Sequence, residues 1–275
     1  MNKKIALITG ASSGIGYETA ELLSRSGYIV YAVARHVDKM SDLTKLGIVT
    51  LHLDVTNELT IQPLVDKIIQ ENGHLDVLIN NAGYGSYGAV EDVPIAEAQA
   101  QLDVNLFGMA RMIKAVLPQM RKQKSGRIVN ISSMAGRIWT PLGAWYHAAK
   151  FAVEGFSDAL RLETADFGIK VIIIEPGAVK SNWSQIATKK MLENSSDGPY
   201  SQLAEQAAAN FKRTYDADIN KHLSRASLIS KTILKSLTSR NPKTRYLVGY
   251  GAKMSVFMAA VLSDKHFDRV SRKFM

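Results

Sequence analysis

The sequence predicts an α/β fold in which a parallel sheet lies between two layers of helices. Three observations carry that prediction. Strand-like runs alternate with helix-like stretches along the chain, most of the strand-like runs are solidly apolar, and the first of them runs straight into a glycine-rich turn. Alternation of the two kinds of segment is the pattern of βαβ units, whose strands pair in parallel through right-handed crossovers. A strand covered by helices on both faces has no solvated side, so it reads as an apolar run without alternation.

The first strand is predicted at residues 5–9, and the turn Thr9-Gly10-Ala11-Ser12-Ser13-Gly14-Ile15-Gly16 leads into a helix at 16–26. Glycines at a strand-to-helix turn let a pyrophosphate approach the backbone, and the helix N-terminus offers unpaired N–H groups and a partial positive charge. The spacing is G-x-x-x-G-x-G, and its position between strand and helix is what makes it a nucleotide motif rather than a merely tight turn. The second strand, 28–34, ends on Ala34 and is followed by Arg35. An acidic residue here would bind a free ribose hydroxyl. No carboxylate stands at this end to repel a phosphate, and the planar guanidinium of Arg35 can pair with one. This favours NADP(H) over NAD(H), against the plainer reading of Arg35 as a solvated strand-end charge.

The third strand, 49–53, leads into Asp54 and Val55. Asp54 can accept a hydrogen bond from an adenine amino group or cap its own loop, and the residues leave both open. A helix at 59–71 precedes the fourth strand, 77–80, which ends in Asn80-Asn81-Ala82-Gly83. Ligands of such sheets sit at the carboxyl ends of the strands, where this small polar segment would line a cofactor. One long helix is predicted at 96–121, and the fifth strand at 127–132 ends beside Ser133. Tyr146 and Lys150 are four residues apart and share a helix face at the start of a helix that continues through 148–165. An ammonium beside a phenol favours the phenolate and so lowers the tyrosine pKa, giving a proton donor and acceptor usable near neutrality. The serine hydroxyl can bond the same substrate oxygen.

After the sixth strand, 171–175, the rhythm breaks. Residues 182–224 show no strand signal; 202–213 looks helical and 194–199 looks like an exposed turn. We read this insertion as a substrate-binding lid, against an ordinary surface excursion. Candidate pocket walls are Met134, Ala135, Trp139, Leu142, Trp145 and Trp183, whose character suits a medium-to-large apolar substrate. The last strand is at 245–248. A helical extension, 251–275, follows, apolar over 251–262 and then basic at Lys265, Arg269, Arg272 and Lys273. Packing on its own domain or a partner subunit is favoured for it over association with anionic lipid.

Composition narrows the function classes. The chain of 275 residues fits one domain spanning 1–275, has no cysteine, and scatters its six histidines without ligand spacing, so neither disulfides nor a metal site is expected. The formal net charge of +9 is dispersed, which reads as a basic surface rather than a nucleic-acid arm. No secretory signal and no run of roughly 18 apolar residues is visible, in keeping with a cytoplasmic protein.

Taken together, these residues resemble the short-chain dehydrogenase/reductase family in its single-domain branch. The resemblance runs from Thr9 to about Ser181. It rests on Thr9-Gly10-x-x-x-Gly14-x-Gly16, Asn80-Asn81-Ala82-Gly83, Asn105, Ser133, Tyr146-x-x-x-Lys150 and Pro176-Gly177, all in family order, with Ser133 thirteen residues before Tyr146. It implies a doubly wound, Rossmann-type α/β fold with a seven-stranded parallel sheet and helices on both faces. It implies an oxidoreductase moving a hydride between nicotinamide and a carbonyl or secondary alcohol. Tyr146 would be the general acid in reduction and the base in oxidation. Lys150 would lower its pKa and hold the nicotinamide ribose, Ser133 would polarise the substrate oxygen, and Asn105 would hold a water in a relay to Lys150. The cofactor would lie along Gly10, Ser12, Ser13, Gly14, Ile15, Gly16, Arg35, Asp54, Val55, Asn81, Ala82, Gly83, Tyr146, Lys150, Pro176, Gly177, Val179 and Ser181, and the substrate against Ser133, Tyr146 and Trp183. Relatives commonly carry Thr where Ser181 stands, and those that prefer NADP often carry a basic residue where this loop has Ser12 and Ser13. Cofactor preference therefore rests mostly on Arg35. The resemblance leans towards reductases of steroids, retinoids and general carbonyls. It also implies a homodimer or homotetramer built on the helices at 96–121 and 146–165. A catalytically silent dinucleotide sensor or scaffold of the same fold is the alternative; the intact Asn105, Ser133, Tyr146 and Lys150 argue against it.

Overall fold

The computed structural model describes residues 3–273; residues 1–2 and 274–275, the ends of the expected domain and C-terminal extension, lie outside the described part. In chain order the elements are β1 (Ile5–Thr9), α1 (Gly14–Arg25), β2 (Ile29–Ala34), α2 (Ser41–Lys45), β3 (Val49–His52), α3 (Glu58–Asn72), β4 (Val77–Asn80), α4 (Ile95–Leu102), α5 (Met109–Gln123), β5 (Gly126–Ile131), α6 (Ala144–Glu163), β6 (Ile169–Pro176), α7 (Trp183–Ser195), α8 (Ser201–Tyr215), α9 (Ala226–Thr238), β7 (Arg245–Val248), α10 (Ala252–Val261) and α11 (Asp264–Lys273).

The seven strands form one sheet in the order β3-β2-β1-β4-β5-β6-β7, with every pairing parallel. The winding reverses between β1 and β4, and a crevice opens at the carboxyl ends of the strands there. The unbroken apolar strands are explained by two cores. In β1, Ile5 and Leu7 face one core with α3, α5 and α6, while Ala6 and Ile8 face the other with α1, α2 and α9. The same alternation runs through β2, where Tyr31 and Val33 oppose Val30 and Ala32. Each fully buried Ile or Leu contributes about 1.5–3 kcal/mol, so the double-sided strands are the main source of stability.

One helix departs from the expected pattern. The helix expected at 96–121 is α4 and α5 joined by a π turn over Asp103–Gly108, with Asn105 inside it. A π turn inserts one residue into the helical repeat and re-aims the side chains beyond it. The helix α9 has its apolar residues Ala226, Ile229, Ile233 and Leu237 on one face, buried against the sheet and α1. Helices α7 and α8 pack together over the carboxyl end of the sheet through Ala187, Met191, Ala204 and Ala207. Among the described residues no helix is long and apolar enough to cross a membrane, and no group of His, Asp and Glu could hold a metal ion.

Candidate active site

A cavity of about 660 Å³ runs along the carboxyl ends of the strands, from Arg35 at one end to the aromatic faces of α7 and α8 at the other. Its first half is built by the turn after β1. Gly10 has φ +65, and a Cβ there would meet the Ala82 backbone at 2.8 Å, so only glycine fits. The helix α1 starts at Gly14 with Ser13 as its extended N-cap, and Ser13 makes no side-chain cap bond. Unpaired N–H groups of the first turn of α1 are thus available beside the cavity wall formed by Ser12, Ser13, Gly14 and Ile15. Asn81 braces this turn, donating through Nδ2 to the carbonyls of Thr9 (3.1 Å) and Gly10 (3.0 Å).

The strand ends supply the remaining wall. Arg35 is exposed at the rim, with His36 and Lys39 beside it on the cavity lining. Asp54 uses Oδ1 to accept from the N–H (2.9 Å) and hydroxyl (2.8 Å) of Thr56. Burial pushes its carboxyl up, but the Thr56 donors and the nearby Arg35 charge hold it below the ordinary range. Asp54 therefore caps its loop, as one of its two readings expects, and also lines the cavity. Val55, Asn81, Ala82, Gly83, Pro176, Gly177, Val179 and Ser181 all reach the wall. Gly16 does not; it lies behind the turn, against Asn81 and the Gly10 carbonyl.

At the far end three polar side chains converge. Ser133 follows β5 and accepts from Ala135 N at 3.1 Å; Tyr146 and Lys150 stand one turn apart on α6. Lys150 is buried and donates to the Ile131 carbonyl at 2.9 Å, with its Nζ 5.8 Å from the centre of the Tyr146 ring. Burial pushes the Lys150 ammonium down to about 8, with Glu154 opposing. Burial also pushes the Tyr146 phenol well above its ordinary value, Tyr215 adds to this, and a hydrogen bond with Ser133 opposes it. Lys150 stays on the Ile131 carbonyl and is not among the groups that shift the phenol in this geometry. Asn105 does not reach the wall either. Its Oδ1 accepts from Tyr84 N (2.9 Å) and its Nδ2 donates to Tyr84 O (2.8 Å), so its side chain braces the segment after β4.

The chamber beyond Tyr146 is aromatic. Trp183 lies 5.1 Å from the Tyr146 ring centre, and Tyr87 lies 5.7 Å from it. Phe211 and Tyr215 from α8 close on Trp183 at 6.3 and 5.8 Å. Trp183 fits because Gly85 is bare: a Cβ there would meet the indole at 2.6 Å. Among the expected walls, Met134, Ala135 and Trp183 line the cavity, whereas Trp139, Leu142 and Trp145 do not. Trp139 is captured by α11, its indole N–H donating to Asp268 at 2.8 Å and its ring edge-on to Phe267. Tyr84, Tyr87, Phe211 and Tyr215 were not expected there. Phe211 and Tyr215 are four apart on α8, a spacing that puts both on one face. His147 holds the loop after Ser133: its Nδ1 bonds the Ala135 carbonyl (2.9 Å) and its Nε2 accepts from Thr140 N (3.0 Å). That pattern needs the neutral ring, and burial lowers its pKa accordingly.

Comparison with known proteins places this geometry. The family described as "short chain dehydrogenase" matches residues 4–192. The "Probable short-chain type dehydrogenase/reductase VdlC" of Helicobacter pylori is 36% identical over 268 residues, covering 98% of this chain and 96% of that one. A "3-ketodihydrosphingosine reductase" of Bacteroides thetaiotaomicron is 47% identical over 177 residues, covering 64% of each chain. Among solved structures, a short-chain dehydrogenase from Streptomyces avermitilis superposes with TM-score 0.80 at 28% identity, covering 99% of this chain and 98% of that one.

Proposed function

The chain belongs to the short-chain dehydrogenase/reductase family of oxidoreductases, and on that premise we propose that it is an NADP(H)-dependent enzyme interconverting a carbonyl and a secondary alcohol on a medium-to-large apolar substrate. One observation carries this reading. Ser133, Tyr146 and Lys150 converge at one end of a cavity whose other end holds the glycine turn, the α1 N-terminus and Arg35.

The wall fits a dinucleotide. Gly10 leaves a cradle that a side chain would fill, the first turn of α1 offers N–H donors to a pyrophosphate, and Arg35, with Lys39, offers cations to a 2′-phosphate. Asp54 and Val55 would flank the adenine, and Pro176, Gly177, Val179 and Ser181 would hold the nicotinamide end. The cofactor, when bound, supplies the hydride. The protein does the rest. Tyr146 holds the proton that a reduced carbonyl oxygen needs, and its raised pKa keeps that proton in place at neutral pH. Ser133 is placed to bond the same oxygen. Lys150 is placed to bond the nicotinamide ribose and to return a proton to the phenol. The aromatic chamber of Tyr87, Trp183, Phe211 and Tyr215 excludes water and offers ring faces to an apolar substrate. Residues 182–224 would act as a lid over it. The relative named 3-ketodihydrosphingosine reductase supports trying long-chain ketones first. The exposed Phe107, Phe151 and Leu162 on the π turn and α6 support a homo-oligomer.

The test is a panel of apolar ketones and aldehydes, long-chain 3-keto compounds and ring ketones included, followed by NADPH absorbance. Oxidation of NADPH by at least one of them, lost in Tyr146→Phe, is the expected result. NADPH binding without turnover of any carbonyl would instead favour a dinucleotide sensor.

A further inference from the structure

Beneath the catalytic end of the sheet lies a charge cluster that the reaction described above does not use. Two buried carboxylates meet there: Glu154, one helical turn beyond Lys150 on α6, and Glu175, on β6 immediately before Pro176 and Gly177. A single guanidinium serves both. Arg245 of β7 places Nε 3.0 Å from Oε2 of Glu154 and 3.4 Å from Oε1 of Glu175, and its terminal nitrogen bonds Asp158, another turn along α6. Arg137, four residues after Ser133, adds a second cation, with Nη1 3.3 Å from Oε1 of Glu175. Arg161 on α6 pairs with Asp158.

Each segment that brings a residue to the reaction therefore sends at least one charged side chain into this cluster. The Ser133 loop sends Arg137, the Tyr146–Lys150 helix sends Glu154 and Asp158, and the Pro176–Gly177 strand sends Glu175. The edge strand β7 contributes only the arginine that joins them.

We propose that Arg245 is a positioning residue for the reaction: bound to Glu154 and Glu175 at once, it fixes the helix of Lys150 against the strand end that leads to Pro176 and Gly177. The proposal rests on the oxidoreductase reading above. Geometry argues for a bridging role over simple stabilisation. Two carboxylates side by side in a buried site repel and resist joint ionisation, and a guanidinium whose Nε faces both removes that conflict only while α6 and β6 keep their spacing. Lys150 gains as well, because an ionised Glu154 is the one group that raises its pKa against burial. The charges facing Lys150 and Glu154 are those of Asp158 and Arg161 on α6, Glu175 on β6, Arg137 after β5 and Arg245 on β7; Tyr146 is the titrating neighbour on α6. Burial and the Glu154 charge push the Glu175 carboxyl up, and the two arginines oppose this. With Arg245 gone, Glu175 loses one of the two cations that oppose its upward shift, and the Glu154 counter-charge of Lys150 loses the tie that holds it in place.

The test uses the whole enzyme with NADPH and the carbonyl compound best turned over in the panel, comparing wild type with Arg245→Met, Arg245→Lys and Glu154→Gln. Misplacement on the scale of an ångström costs up to about 100-fold, so kcat is expected to fall roughly 10- to 100-fold in Arg245→Met while KM for the carbonyl moves less than about threefold. The alkaline limb of the pH profile should move to lower pH in Arg245→Met and in Glu154→Gln. Arg245→Lys keeps the charge but reaches one carboxylate, and should fall between wild type and Arg245→Met. Should Arg245→Met not fold, Arg245→Lys and Glu154→Gln decide by the same criteria. Folded variants with wild-type kcat and an unmoved limb would show that the cluster only stabilises the fold, and would overturn the proposal. NADPH affinity as a function of pH, followed by nucleotide fluorescence, reads the same limb without turnover. A wild type that binds NADPH but reduces nothing would count against the oxidoreductase reading and still leave this proposal decidable.

Discussion

Tyr146 and Lys150 are opposite solutions to one buried environment. Burial raises the phenol and lowers the ammonium, to about 8 for Lys150, because each charged form is penalised in a dry pocket. Carbonyl reduction needs the phenol protonated and Lys150 charged, and both hold below about pH 8. Reduction should therefore be level through neutrality and decline as pH rises through the Lys150 value, with that limb absent from the residual activity of Lys150→Met. The same group gives a stability prediction. Its pKa is depressed on folding, so between about 8 and 10.5 the unfolded chain binds more protons, and Lys150 should favour folding more as pH rises through that window. Urea titrations of wild type and Lys150→Met across that window would read this. Tyr146→Phe removes one hydroxyl and should lower turnover by about 100- to 10,000-fold with NADPH binding retained. At the other end of the cavity, Arg35→Ala should weaken NADPH by about 1.5–3 kcal/mol, roughly 10- to 150-fold, and leave NADH nearly unchanged. Equal losses for both nucleotides in direct titrations would remove Arg35 from the 2′-phosphate.

At the scale of elements, the strands were the most legible because their burial is two-sided. The run Ile5-Ala6-Leu7-Ile8 serves one core with every second residue and the opposite core with the others, which leaves no polar position to blur the signal. Helix interiors were harder. Nothing local marks the π turn at Asp103–Gly108, whose residues have ordinary helical character in sequence; the Tyr84 peptide, 21 residues earlier, bonds Asn105 inside it. Helix α8 is alanine-rich and, with α7, rests on a chamber assembled from several parts of the chain, so the sequence shows the helix at 202–213 but not its role as an aromatic wall. Trp183 joins that wall to the reaction, touching Tyr146, Tyr87, Phe211 and Tyr215. Trp183→Ala should raise KM for a large apolar carbonyl by about tenfold or more, since a lost ring face is worth about 0.5–1.5 kcal/mol beyond its buried area, and should change KM for a small aldehyde much less. Steady-state kinetics with a long-chain and a short-chain aldehyde would separate these outcomes.

For the whole molecule, the open question is what covers the exposed aromatic and aliphatic side chains. Phe107, Phe151 and Leu162 are 53%, 44% and 75% exposed, all on or beside helices that pack on one face of the sheet. A homo-oligomer that pairs these helices would cover them. Sedimentation should find a dimer or tetramer at micromolar concentration, shifted towards monomer by Phe151→Glu with Leu162→Glu; a wild-type monomer would remove these helices as an interface. The sequence by itself determined the α/β class, the strand set, the glycine turn, the Ser133, Tyr146 and Lys150 constellation and the Arg35 strand end, because each is written in local spacing and in the period of apolar residues. Only the tertiary structure decided that Trp139 belongs to α11 rather than to the pocket, that Tyr84, Tyr87, Phe211 and Tyr215 line the chamber, that Asn105 turns its amide to Tyr84, and that Arg245 joins Glu154 to Glu175. Those are contacts between residues up to 129 positions apart, and the direction of a side chain across such a span is set by how the layers pack, not by its neighbours in the chain.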